Sequence, residues 1–170
     1  MNLRDEILKE HSKSQALKVA AYACSSPKNF KELMQCFMAD EYRLSQRAAW
    51  SVSWAAKKKP EMVKPYLKDI VAQLQREGVH DSVKRNAVRI LEDIDIPEPL
   101  HGEVMNACFG FIEDPATAVA IKAFSLTTLF NLSEIYPEIR PELKLLIEAN
   151  LENETAAFRS RGKKILGKLG

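Results

Sequence analysis

An apolar residue followed four positions later by a very small one recurs four times in this chain: Leu44/Ala48, Val83/Ala87, Val119/Ala123 and Phe158/Gly162. Successive pairs lie 39, 36 and 39 residues apart. That period is the length of a helical pair, a unit that cannot bury its apolar face alone and must stack on its neighbours. The small residue lets two helices approach closely, as stacking requires. The expected fold is therefore all-α, and arrays of this kind usually act through an extended surface.

The rest of the chain agrees with helices. No stretch alternates apolar and polar residues between turn signals, and the β-branched residues fall at helical spacing. Ser26-Pro27 and Asp114-Pro115 each read as a capping side chain followed by a proline at the first helical position, where its missing N–H costs nothing. Asp40, Asp81 and Asn153 are further candidate caps. Helices are expected over 2–9, 12–25, 27–39, 41–57, 61–76, 81–93, 98–112, 115–134, 138–151 and 154–168, with short antiparallel connections.

Within each repeat the first helix opens on prolines: Pro60 with Pro65, Pro97 with Pro99, and Pro137 with Pro141. The second helix follows an acidic residue (Asp40, Asp81, Asp114 or Glu154) and carries the apolar/small pair. Three second helices place a basic residue just before the small one: Arg47, Lys122 and Arg161. The remaining one has Asn86 there, with Arg85 and Arg89 on either side.

On these residues the chain resembles the HEAT-repeat family over about residues 12–170. The family's pattern is a bent first helix, an aspartate in the turn and a basic residue in the second helix. It falls on Asp40/Arg47, Asp81 with Lys84 or Arg85, Asp114/Lys122 and, with glutamate for aspartate, Glu154/Arg161. The resemblance implies a right-handed α-α superhelix of about four hairpins, read as one domain over 1–170. Residues 1–26 would form a degenerate N-terminal cap, and the repeats would cover about 27–59, 60–96, 97–136 and 137–170. It also implies a non-catalytic scaffold that binds a protein or peptide on its concave face. The alternative is nucleic-acid binding, because DNA-alkylation-repair glycosylases hold DNA on HEAT-like arrays.

Composition narrows the classes. With 25 basic and 23 acidic residues the net charge is +2, which by itself does not call for a nucleic-acid partner. There is no apolar run approaching a membrane span and no secretory leader, so a cytoplasmic protein with no membrane partner is expected. Cys24, Cys36 and Cys108 are widely spaced within apolar stretches and read as buried reduced thiols. His11, His80 and His101 stand alone, so no metal site is expected, and no cofactor is. Glycine-rich phosphate loops, Gly-x-Ser-x-Gly and His-Glu-x-x-His are missing, and no catalytic residue is expected. Ser25-Ser26-Pro27-Lys28-Asn29 superficially resembles the signature loop of the fumarase and adenylosuccinate lyase superfamily. Its compressed spacing fits a helix start instead.

Two sets of residues remain as candidates for partner binding. Trp50 and Trp54 lie one helical turn apart with Arg47 on the same flank, opposite the core stripe of Leu44, Ala48, Val52 and Ala55. Such a patch suits an aromatic, cationic or extended peptide ligand, or a stacked base, whereas the plainer reading makes the tryptophans fillers between repeats. Trp54 lies nearer the core stripe and Trp50 further round. The second set, Arg47, Arg85, Arg89, Lys122 and Arg161, forms a basic stripe that would track a phosphate backbone or an acidic partner, or else pair with acidic turn residues. Lys57-Lys58-Lys59 and the basic tail from Arg159 read as a helix end and a soluble closing cap.

Overall fold

A computed structural model describes residues Met1–Gly170. The architecture is all-α, a helical-repeat fold of eleven α-helices and three 3-10 turns without strands. In chain order the helices are α1 (Leu3–Lys9), α2 (Lys13–Ala23), α3 (Pro27–Phe37), α4 (Tyr42–Lys58), α5 (Pro60–Val63), α6 (Leu67–Gln75) and α7 (Asp81–Leu91). They continue as α8 (His101–Glu113), α9 (Val119–Ser133), α10 (Arg140–Asn150) and α11 (Ala156–Leu169). By internal packing the chain divides into two compact units, Met1–Ile90 and Leu91–Gly170. No helix is long and apolar enough to cross a membrane.

The single helix expected over 61–76 is broken into α5, a 3-10 turn at Lys64–Tyr66 and α6. Pro65 lacks a backbone N–H and cannot continue the ladder, so the bend falls there. Ser26 caps α3 as expected: its hydroxyl accepts from the Asn29 N–H at 3.1 Å, with Pro27 in the first turn. Asp114-Pro115 is different. Asp114 ends α8, and its carboxylate accepts from the Ala116 N–H at 2.9 Å. The Thr117 N–H donates to the Asp114 carbonyl, so a turn forms and α9 starts only at Val119. The other proposed caps also move. Glu41 precedes α4, Thr155 caps α11 by accepting from the Phe158 N–H, and His80 Nδ1 accepts from the Ser82 N–H in the first turn of α7. The turn ahead of α7 requires positive φ at Gly78, at 75°.

In the first unit α4 is the hub, packing against α1, α2, α3 and α5. Leu44, Ala48, Val52 and Ala55, the anticipated core stripe, are all buried. In the second unit α9 is the hub, enclosed by α8, α10 and α11. Its buried positions run nearly all round the helix, as expected of an enclosed element. The hydroxyls it buries are satisfied locally: Ser125 donates to the Ile121 carbonyl at 2.7 Å and Thr128 to that of Phe124 at 3.1 Å. The small partners of the repeat pairs sit inside: Ala48 and Ala87 are fully buried, and Ala123 and Gly162 are buried.

Side chains also mark the repeat by reaching back about one period to a backbone carbonyl. In the first unit Arg47 donates to Leu8 O, 39 positions earlier, Arg76 to Met38 O, 38 earlier, and Ser82 to Gln46 O, 36 earlier. In the second, Asn131 donates to Glu92 O, 39 earlier, and Arg161 to Ala123 O, 38 earlier. Gln46 and Ala123 lie inside α4 and α9, but Leu8, Met38 and Glu92 lie at or just past helix ends, where carbonyls lack partners within their own helix. A side chain from the next repeat that satisfies such a group fixes the stacking register as well as its strength.

Candidate functional site

The basic positions that share a register in the sequence do not share an environment. Lys122, at the start of α9, is buried and forms an ion pair with Glu154 at 2.8 Å. Arg161, on α11, is held by Glu92 Oε2 at 2.8 Å, Thr127 Oγ1 at 3.0 Å and the Ala123 carbonyl at 3.2 Å. Both are engaged by acidic partners within the second unit, Lys122 buried and Arg161 partly exposed. Only Lys122 pairs with a turn residue of the following repeat, as a ladder of caps would require. Asp40, the turn residue ahead of α4, pairs with Arg76 rather than Arg47. Arg47 gives one N–H to Leu8 O at 2.8 Å, and its Nε is buried without a partner. It therefore ties α4 to α1.

Trp50 belongs with that structural set. His11 meets its ring edge-on, with centroids 5.8 Å apart. The gap bounded by Ile7, His11, Ala16, Val19, Arg47 and Trp50 measures about 10 Å³. A single water needs roughly that much, so nothing of ligand size fits between Trp50 and its neighbours. Trp50 is a filler.

Trp54 is not. Although it lies nearer the core stripe in sequence, it is no more buried in class than Trp50, and both are intermediate. Three cations surround its indole: Arg89 Cζ at 5.1 Å, Lys13 Nζ at 5.2 Å and Lys57 Nζ at 5.5 Å from the ring centroid. They come from the last turn of α7, the first residue of α2 and the last turn of α4. The π face of tryptophan attracts cations, which explains why each arrives. None of the three forms an ion pair with a carboxylate. Lys13 and Lys57 are exposed and Arg89 is partly so, leaving all three heads within reach of solvent. Arg85, one turn before Arg89, is exposed and has no ion pair. The indole N–H itself is buried without an acceptor.

Of the expected contact residues, the structure thus brings Trp54 and Arg89 together, with Arg85 a turn away. It sets Arg47 and Trp50 into packing and consumes Lys122 and Arg161 in ion pairs. Two participants escaped sequence reading. Lys57 lies three positions after Trp54, a legible spacing, but within Lys57-Lys58-Lys59 it has the form of a helix-end charge. Lys13 is 41 residues away from Trp54 and carries no local signal.

Charge is distributed in the same sense. The first unit holds seventeen basic and ten acidic residues, net +7, and the second eight basic and thirteen acidic, net −5. The near-neutral total conceals a basic unit that bears the open cluster.

The repeating hairpins, the buried small residues and the carbonyl contacts one period apart accompany a match to the HEAT repeat domain over residues 3–169. The chain belongs to the HEAT repeat domain family. No curated protein and no solved structure matches it. HEAT repeats are helical scaffolds that typically serve protein interaction. In this HEAT protein no group of three His, Cys, Asp or Glu side chains is placed to hold a metal ion. The three cysteines are free and buried. Burial pushes all three thiols up, that of Cys108 to about 12, so none is poised as a thiolate nucleophile at neutral pH.

Proposed function

We propose that this HEAT protein is a non-catalytic binding module that takes an acidic segment of a partner protein against the Trp54 face of its first unit. The observation that carries this reading is the convergence of Lys13, Lys57 and Arg89 on one indole without a carboxylate partner. Like charges gathered at such range repel, and a ligand that brings negative charge relieves the repulsion. The aromatic platform adds apolar contact area, the usual anchor of a protein interface.

The charge pattern favours a local acidic segment over a long nucleic acid. A continuous phosphate-tracking stripe would need Lys122 and Arg161 free, and both are paired. The net +7 of the first unit supports an acidic partner there, and the net −5 of the second opposes extending a polyanion along it.

The test is fluorescence anisotropy with a labelled glutamate-rich peptide, a serine-rich control and a short DNA duplex. The glutamate-rich peptide should bind, more weakly as salt rises, and Lys13→Gln/Arg89→Gln should weaken it by about tenfold or more. Absence of binding, or a clear preference for the duplex, refutes the reading.

A further inference from the structure

The charge at Trp54 exceeds what one carboxylate can neutralise. Resting on the acidic-segment reading, we propose that the site takes a phosphate monoester borne by that segment, a phosphoserine or phosphothreonine, with Arg89 as the principal contact and Lys13 and Lys57 closing on it.

Three cationic centres lie within 5.5 Å of a single point, so no two can be further apart than twice that distance. This is within roughly a Debye length at physiological salt, about 8 Å, or little beyond it, so solvent ions do not abolish their repulsion. A carboxylate brings one negative charge and two oxygens. A phosphate monoester brings about −1.5 to −2 and three strong acceptors, one for each cation here. A nucleic-acid diester brings only a single charge per phosphate, which is a poorer match to three cations around one ring.

The chemistry of the heads points the same way. A guanidinium over an aromatic ring uses its face for that contact and keeps its N–H edge for bidentate contact with an oxyanion. Arg89 has its Cζ 5.1 Å from the Trp54 ring centroid and makes neither an ion pair nor a hydrogen bond to protein that would occupy its N–H groups. The two ammonium groups sit at helix ends, one opening α2 and one in the last turn of α4. Both heads lie near the Trp54 ring. The ring thus acts as a platform that gathers the cations before the ligand arrives, which lowers the cost of ordering them on binding.

The experiment compares three versions of one labelled, glutamate-rich peptide, with serine, glutamate or phosphoserine at its centre, against the full chain by anisotropy. The phosphoserine form should bind about tenfold tighter than the glutamate form. That advantage should fall to about twofold or less in Arg89→Gln and shrink in Lys57→Gln, with circular dichroism melting showing that both variants remain folded. Either variant suffices should the other fail to fold. Equal affinity of the glutamate and phosphoserine forms overturns the phosphate assignment and leaves the acidic-segment reading standing. Failure of all three peptides to bind overturns both. Inorganic phosphate competing as strongly as the phosphopeptide would assign the site to free phosphate, and a DNA duplex competing more strongly would assign it to diesters. Either result overturns the proposal.

Discussion

Lys122 Nζ lies 2.8 Å from Glu154 Oε1, with the lysine side chain only 3% and the glutamate 12% exposed. The pair joins the first turn of α9 to the turn ahead of α11 inside the second unit. Burying two charges is costly, and close pairing mainly offsets that cost rather than yielding a large net gain.

Removing one partner should therefore be far worse than replacing both. Lys122→Met alone leaves a desolvated carboxylate and should cost about 3–5 kcal/mol. Lys122→Met/Glu154→Leu should recover most of that loss. Urea denaturation of the two singles and the double gives the coupling, and additive effects would show that the pair is not electrostatically linked.

The two glycines inside α11 should respond oppositely to alanine. A Cβ on Gly162 would meet Ile147 Cγ2 at 3.0 Å and Leu151 Cδ2 at 3.3 Å, whereas one on Gly167 meets nothing within 4 Å. Ile147 is fully buried and has little room to yield. Gly167→Ala should stabilise by up to about 1 kcal/mol, the usual gain in helix propensity. Gly162→Ala should lose that gain to crowding and be neutral or destabilising. Thermal melts of the two variants decide it.

Trp50 and Trp54 should separate stability from binding. Trp50→Ala opens space beside Ile7, Ala16 and Val19 and should cost about 2–3 kcal/mol, below the range for a fully buried tryptophan. It should leave affinity for an acidic peptide unchanged. Trp54→Ala removes the platform beneath Lys13, Lys57 and Arg89 and should weaken that affinity by about tenfold or more. Parallel losses of binding in both variants, measured by anisotropy on folded protein, would remove the distinction.

Cys108 should be inert in the folded chain. Desolvation raises its thiol to about 12, against an ordinary value of 9.0, with a Ser125 hydrogen bond pulling weakly the other way. Because burial disfavours the thiolate, the unfolded chain loses this proton first as pH rises. The contribution to stability that follows is full below pH 9 and is lost as pH climbs toward about 12. At pH 8 iodoacetamide should leave Cys108 unmodified in native protein and label it in urea, as peptide mass mapping will show. Cys108→Ala should flatten the alkaline limb of the stability curve.

Much of the fold was legible because stacking repeats its demands at a fixed interval. The Leu44/Ala48 and Phe158/Gly162 pairs recur because each hairpin must offer its neighbour a close approach. Ser26-Pro27 read correctly because the hydroxyl, the proline and the helix they start are local. Asp114-Pro115 has the same local form and misled, because the Asp114 carboxylate and carbonyl both serve the turn at Ala116 and Thr117. Nothing adjacent in the chain distinguishes the two cases.

The sequence by itself determined the helical class, the period of about 38 residues, the core stripe of α4 and the positions where small residues admit a neighbouring helix. Those follow from periodicity, which is a property of the chain. Only the tertiary structure decided which basic residues are spent and which remain open. Arg47, Lys122 and Arg161 occupy equivalent places, yet one meets a backbone carbonyl, one a buried glutamate, and one both a glutamate and a carbonyl. Arg89 meets an indole already shared with Lys13 and Lys57. A cation's role is set by the dielectric and the partners within a few ångströms, and these are supplied by residues distant along the chain.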